Sequence, residues 1–187
     1  MSHSVELRFD PRASKKLREL RKALYGSLQL NDDDEPKTQP HISLAVFDKP
    51  LKGALASRSS ARENLAEFAR ATKPFSLVLS SVGIFPGEET DVVYLGPVTT
   101  AELLELHTSF HHLFHDAEAS CSEFYLPGKW VPHCTLAIGV PKHKTPLAVS
   151  FLQGQKLPLR VRVKGLALVE FPPVKTLCAF QLKAGRA

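Results

Sequence analysis

Pro40-His41-Ile42-Ser43-Leu44-Ala45-Val46-Phe47 and Pro132-His133-Cys134-Thr135-Leu136-Ala137-Ile138-Gly139 are two copies of one pattern, Pro-His-x-(Ser/Thr)-Leu-Ala followed by a β-branched residue. Successive side chains on a strand point to opposite faces, so each His shares a face with the hydroxyl residue two positions on. Ile42, Leu44 and Val46, and in the second copy Cys134, Leu136 and Ile138, are then expected on the buried face. Each copy reads as an amphipathic strand whose polar face carries one imidazole and one hydroxyl. Two such strands side by side would gather two histidines and two hydroxyls around one small anion, which points to phosphoryl chemistry without metal. Cys134 lies between these residues, but its parity turns it into the core, so a thiol nucleophile is not expected.

Outward from the motifs, Val5, Leu7 and Phe9 alternate with polar residues and mark a first strand. Asp10-Pro11 then opens a helix to about Leu28, with Lys15, Lys16, Arg18, Arg21 and Lys22 on its basic side. Asn31 to Gln39, with the run Asp32-Asp33-Asp34-Glu35 and then Pro36, has no apolar period and reads as a loop entering the first motif. The four acids lack the interleaved ligands and Gly turn of a calcium loop and read as solvated. A helix over about Ser59–Ala71 follows, then strands Phe75–Phe85 and Asp91–Val98 in a hairpin around Pro86-Gly87. The second half repeats the plan: a helix from about Thr99 to Ala119, the motif strand at 131–139, a short helix near Pro146–Gln153, and strands 158–171 and 174–183. Phe85-Pro86 before Val92-Val93-Tyr94-Leu95 is echoed by Phe171-Pro172 before Leu177-Cys178-Ala179-Phe180. The motif histidines are 92 residues apart and these Phe-Pro pairs 86 apart, so the halves differ by a modest deletion. An internal pseudo-twofold is expected, in one domain spanning 1–187 with lobes of roughly 1–98 and 99–187.

The paired His41-x-Ser43 and His133-x-Thr135 motifs, with Trp130-Val131-Pro132 leading into the second, resemble the 2H phosphoesterase superfamily, which includes bacterial 2′-5′ RNA ligases and cyclic nucleotide phosphodiesterases. The resemblance spans most of the chain. It implies an α+β fold of two pseudo-symmetric lobes, with antiparallel sheets lining a central cleft and helices outside. Family enzymes act on 2′,3′-cyclic phosphates, 2′-5′ linkages, ADP-ribose cyclic phosphate or RNA 3′ ends, and the motifs do not separate these.

Phosphodiester transfer needs one group to take a proton from the attacking oxygen and another to give one to the leaving oxygen beyond phosphorus. Imidazole suits both tasks, because a pKa of about 6.5 lets one ring be neutral and the other protonated near neutral pH. His41 and His133 are therefore the expected catalytic pair, and Ser43 and Thr135 the hydroxyls that bind the phosphate oxygens. No cofactor or metal is expected, and the partner is an RNA or nucleotide substrate. Hydrolysis of a 2′,3′-cyclic phosphate is the expected reaction. The alternatives are 2′-5′ RNA ligation, cleavage of 2′-5′ oligoadenylate, or a nucleotide- or RNA-binding module without useful turnover.

The chain of 187 residues is 43% hydrophobic and 23% charged, ordinary values for a soluble domain able to bury a core. No apolar run approaches the roughly 18 residues that cross a bilayer, and Met1-Ser2-His3-Ser4-Val5-Glu6 leads into no signal-like apolar stretch. Three cysteines, Cys121, Cys134 and Cys178, are odd in number and show no C-x-x-C spacing, so neither a disulfide framework nor a zinc site is indicated. A cytoplasmic monomer is expected. A net charge of +5 favours a polyanionic ligand. No H-E-x-x-H, Gly-rich phosphate loop or G-x-S-x-G elbow is present, which sets those enzyme classes aside.

His107, His111 and His115 stand four apart on the third helix. The apolar stripe Leu103, Leu106, Phe110, Leu113, Phe114 places them at its edge, as surface histidines and not a metal ladder. Phe124, Tyr125 and Trp130 cluster before the second motif, where an aromatic face can stack on a base or simply pack beneath the loop. On the strand from Pro158, Leu159, Val161 and Val163 alternate with Arg160, Arg162 and Lys164, so the basic set is expected on the face opposite the core, as one cationic wall for a phosphate backbone.

Overall fold

The alternation Val5-Glu6-Leu7-Arg8-Phe9 becomes strand β1 (Ser2–Phe9), and Asp10 caps helix α1 (Pro11–Leu28) by accepting from the Arg12 and Ala13 N–H groups. The computed structural model describes residues 2–31 and 35–183, so the acidic stretch Asp32 to Asp34, expected as a solvated loop, lies outside the described residues. The first motif forms β2 (His41–Phe47), followed by α2 (Arg58–Ala71), β3 (Phe75–Phe85) and β4 (Thr90–Pro97). In the second half come α3 (Ala101–Leu113), β5 (Cys134–Pro141), α4 (Thr145–Gln153), β6 (Leu159–Phe171) and β7 (Lys175–Gln181). The third helix stops earlier than the expected Ala119: Phe114 leaves helical geometry and a 3₁₀ turn, His115–Ser120, continues.

The strands are antiparallel and join in the order β2-β1-β6-β3-β4-β5, with β7 added to β6. β6 is shared between two half-sheets. Its start, Leu159 to Val163, pairs with Phe75 to Leu79 of β3, and Gly165 to Glu170 pairs with β7, while β1 runs along the opposite edge. The halves are thus β2-β1-β6-β7 and β5-β4-β3-β6, each with its motif strand at the edge. A division of the chain near residue 98 is not how the strands are shared out. Val5 and Leu7 of β1 are fully buried and need neighbours on both edges, and the second neighbour, β6, comes from the far end of the chain.

The pseudo-twofold is visible in the register. Val5 pairs with Ala45 and Glu6 with Ser43, leaving Leu44 as an extra residue; Val93 pairs with Ala137 and Tyr94 with Thr135, leaving Leu136 extra. Both motif strands therefore bulge at the same Leu, and a bulge shifts every later side chain to the other face. Leu44, Ala45, Leu136 and Ala137 are consequently all fully buried. Val46 is only half-buried and Ile138 is 49% exposed, so the burial expected for these two from simple alternation is corrected by the slip.

Helices α1 and α4 pack on each other and cover the β4–β5 side, while α2 lies against β6 and β7. The edge strands β2 and β5, at opposite ends of the strand order, touch. The sheet thus curls until the two motifs face one another. No helix among the described residues is long and apolar enough to cross a membrane.

Candidate active site

Each motif histidine is fixed by its own chain. His41 Nδ1–H donates to the Gln39 carbonyl (2.6 Å) and His133 Nδ1–H to the Val131 carbonyl (2.7 Å), in both cases the residue before the intervening Pro. A carbonyl only accepts, so Nδ1 carries the proton in each ring and Nε2 is left for the cleft. The rings are close enough for the charge of His41 to bear on His133. Ser43 and Thr135 stand one pleat further on, paired across the sheet with Glu6 and Tyr94. The four residues expected at the site are thus brought together by two touching strands.

The surroundings of the two rings differ. His41 Nε2 lies 3.4 Å from Glu6 Oε1, and Glu6, 1% exposed, is held by Ser4 Oγ–H (2.8 Å) and paired with the Arg8 guanidinium (2.7 Å). His133 is enclosed by aromatic rings: Phe85 edge-on at 4.7 Å, Tyr94 at 5.4 Å and Tyr125 at 6.3 Å. Tyr94 stacks on Phe85 and lies flat over Gly83, where any Cβ would collide with it. Burial lowers the pKa of both imidazoles; at His41 Glu6 opposes this, and at His133 the Val131 carbonyl does. Burial pushes the Cys134 thiol up to about 11, which keeps it protonated inside the core.

Edge strands leave backbone groups unpaired, and here side chains of the other half take them. Trp130 Nε1–H donates to the Ser43 carbonyl (3.0 Å) and Arg21 to the Thr135 carbonyl (3.0 Å), equivalent positions in the two motifs. Arg21 also donates to the Pro36 and Thr38 carbonyls (2.9 Å each). It is 2% exposed, so its expected place on the basic side of α1 is corrected: it turns inward because three carbonyls need a donor. His107 and His111 are likewise not surface histidines, at 2% and 3% exposed. His107 Nε2–H is shared between the Tyr125 carbonyl (2.9 Å) and the Leu44 carbonyl freed by the bulge (3.1 Å), with His111 Nε2 3.4 Å from the latter. His115 is exposed, as expected. Among the described residues no three His, Cys, Asp or Glu side chains are grouped to hold a metal ion.

Trp130 stacks face to face on His107 at 3.9 Å and is 9% exposed, so it braces the first motif and offers no free face to a base. Tyr125 is half-buried with its ring 6.3 Å from that of His133, and Phe124 is 70% exposed. Arg160 and Arg162 are exposed on β6, opposite Val78 and Ser76 of β3, while Leu159, Val161 and Val163 are buried on the other face. Glu6, Arg8 and Tyr94 were not anticipated as site residues. For the first two the signal was present, since β1 parity sets them opposite Val5, Leu7 and Phe9, but only the pairing with β2 says what that face meets.

A profile of the 2′-5′ RNA ligase superfamily matches residues 7–172, and the chain belongs to that superfamily of 2H phosphoesterases. This membership supports a phosphoesterase role in RNA or nucleotide chemistry. The fold is shared along nearly the whole chain with solved structures. TT0787 of Thermus thermophilus is 20% identical, with 97% of this chain and 98% of that one covered and a TM-score of 0.61. LigT of E. coli, complexed with 3′-AMP, is 15% identical over 97% and 98% (TM-score 0.58), and Usb1 of Kluyveromyces marxianus 12% identical over 98% of each (TM-score 0.50). No curated protein sequence matches the chain significantly.

Proposed function

We propose that the protein is a phosphodiesterase that opens a 2′,3′-cyclic phosphate on RNA or a nucleotide by proton transfer between two histidines, without metal. The observation that carries this reading is the matched pair of rings, each with Nδ1 tied to a carbonyl two residues back, which leaves Nε2 as the atom able to exchange a proton with substrate. One Nε2 accepts the proton of the attacking water and the other supplies the proton of the departing ribose oxygen. Ser43 and Thr135 donate to the non-bridging oxygens as negative charge builds there. Tyr125 offers an aromatic side for the base, and Arg160 and Arg162 a cationic wall for further phosphates. The 3′-AMP complex of the structurally similar LigT supports a nucleotide-sized cleft.

The test is incubation with nucleoside 2′,3′-cyclic phosphates, with paired tRNA halves, and with 2′-5′ oligoadenylate, with and without EDTA, followed by resolution of the products. Opening of the cyclic phosphate at a rate unchanged by chelation is the expected result. Joined halves or cleaved oligoadenylate as the main product would move the reading to 2′-5′ linkages, and saturable binding with no product would make the protein a binding module.

A further inference from the structure

We propose that Glu6 is a positioning residue that divides the labour of the two histidines, holding His41 as the proton donor and leaving His133 as the proton acceptor. The proposal rests on the reading of His41 and His133 as the proton-transfer pair. The two half-sites are built alike except at one position. Glu6 faces Ser43 across β1 and β2, and its counterpart facing Thr135 across β4 and β5 is Tyr94. A carboxylate thus stands beside one imidazole and a phenol beside the other.

Because the Nδ1 proton of His41 is committed to the Gln39 carbonyl, Nε2 is the atom that meets Glu6 Oε1, at 3.4 Å. No hydrogen bond joins the two groups, so Glu6 acts on the ring through its charge, which favours the imidazolium over the neutral imidazole and leaves the Nε2 proton for the leaving oxygen. Glu6 cannot swing to solvent: it is 1% exposed, with Ser4 donating to Oε1 and Arg8 paired with Oε2. Arg8 also balances the carboxylate, so that an anionic substrate does not meet an uncompensated negative charge. The charged and titratable groups bearing on His41 are Glu6 and Arg8 from β1 and Arg21 from α1, and of these only Glu6 favours the cation. At His133 the titratable groups are His41, Tyr94 and Tyr125, and a proton on His41 disfavours one on His133. Burial lowers both rings, but only at His41 does a buried carboxylate oppose it, so the one proton of the pair is assigned to His41.

In cyclic phosphate opening, a water oxygen bonds to phosphorus and gives its proton to His133 Nε2. The bond from phosphorus to one ribose oxygen breaks, and that oxygen takes the proton from His41 Nε2. The product is the ribose monophosphate, and proton exchange with solvent resets the two rings.

The experiment is a proton NMR titration of both imidazoles in the full-length protein and in Glu6→Gln, alongside pH profiles of kcat/KM on a nucleoside 2′,3′-cyclic phosphate. In the unsubstituted protein His41 is expected to carry the higher of the two macroscopic pKa values. Glu6→Gln is expected to lower it by about one pH unit, and to move the alkaline limb of the rate profile to lower pH while the acid limb stays. Movement of the acid limb instead, a loss of rate equal at every pH, or a higher pKa at His133 would overturn the proposal. If Glu6→Gln does not fold, the order of the two titrations in the unsubstituted protein decides alone. If no cyclic phosphate is turned over, the reaction reading fails while the titrations still decide whether Glu6 governs His41.

Discussion

The Pro before each motif histidine explains the matched anchoring. Proline biases the preceding residue to extended geometry, which here leaves the Gln39 and Val131 carbonyls within reach of the ring two residues on. His41→Ala and His133→Ala are each expected to lower turnover by roughly 10²–10⁴-fold, the usual size of one acid or base contribution, without unfolding the protein. Steady-state kinetics on the cyclic phosphate checks this, and full activity in either variant would remove that ring from the mechanism. His107 answers to pH differently. Burial, helped by His111, pushes its pKa down to about 4, whereas an unfolded imidazole titrates near 6.5. Between those values the unfolded chain binds a proton that the folded one refuses. Stability is therefore full above about pH 6.5 and falls as the pH drops toward 4, by up to about 1.4 kcal/mol per pH unit for this one group. Urea unfolding at pH 7 and pH 5 is expected to show lower stability at pH 5, and His107→Gln, which keeps an N–H donor but cannot titrate, to reduce that difference, the other buried imidazoles supplying the rest. At this scale the histidines and hydroxyls could be read from the chain because the pattern is repeated. Glu6 could not, because a charged residue on a strand reads as solvent-facing until the facing strand is known.

The two motif strands are edges that would otherwise expose polar backbone, and each is closed by a donor from beyond its own sheet partner. Trp130 closes β2 at Ser43 and Arg21 closes β5 at Thr135, so the donors also stitch the two half-sites together. Trp130→Phe keeps most of the packing on His107 but strands the Ser43 carbonyl, at an expected cost of about 1–3 kcal/mol. Arg21→Met strands the Pro36, Thr38 and Thr135 carbonyls together and is expected to cost more than Trp130→Phe, even though it relieves a buried cation. Denaturant unfolding of both variants orders the two costs, and equal or negligible losses would deny the bracing role. The strands, helices and hairpins were legible from period, caps and turn residues. The bulges at Leu44 and Leu136 were not, because the adjacent apolar pair Leu-Ala reads equally well as a strand buried on both faces. Their consequence, a bare Leu44 carbonyl, is also what draws His107 and His111 inward against their expected place at the surface.

For the whole molecule, an excess of five positive charges is compatible with many surfaces, and the fold decides where they gather. The order of strands in the sheet was hidden from the sequence, since placing β6 between β1 and β3 joins Val5 to Leu168 and Phe75 to Val163, residues far apart in the chain. That same pairing sets the basic wall relative to the site. Arg8 is in register with both His41 and Gly165, so Arg162 and Arg160 lie three and five residues along β6 from the level of His41, roughly 10 and 17 Å at about 3.3 Å per residue. Beyond Arg160 the surface continues into a depression of about 430 Å³ that Arg12, Lys16 and Lys156 also line. Its one carboxylate, Asp10, is held as the anion by the backbone N–H groups of Arg12, Ala13 and Arg162 and offsets one of these cations, which leaves the depression cationic. A single nucleotide held between the histidines would not reach so far, whereas an oligonucleotide would lay its backbone along this line. Reversing the charge at Arg160 and Arg162 is therefore expected to raise KM for an oligonucleotide ending in a cyclic phosphate and to reduce the slope of log KM against log salt by about one for each phosphate no longer held. The preference for an oligonucleotide over a mononucleotide cyclic phosphate falls accordingly. Both side chains are exposed, so the change is not expected to unfold the sheet. An oligonucleotide KM and salt slope that stay where they were would mean that these arginines only keep an exposed strand soluble, and that substrate length is read on another face of the cleft.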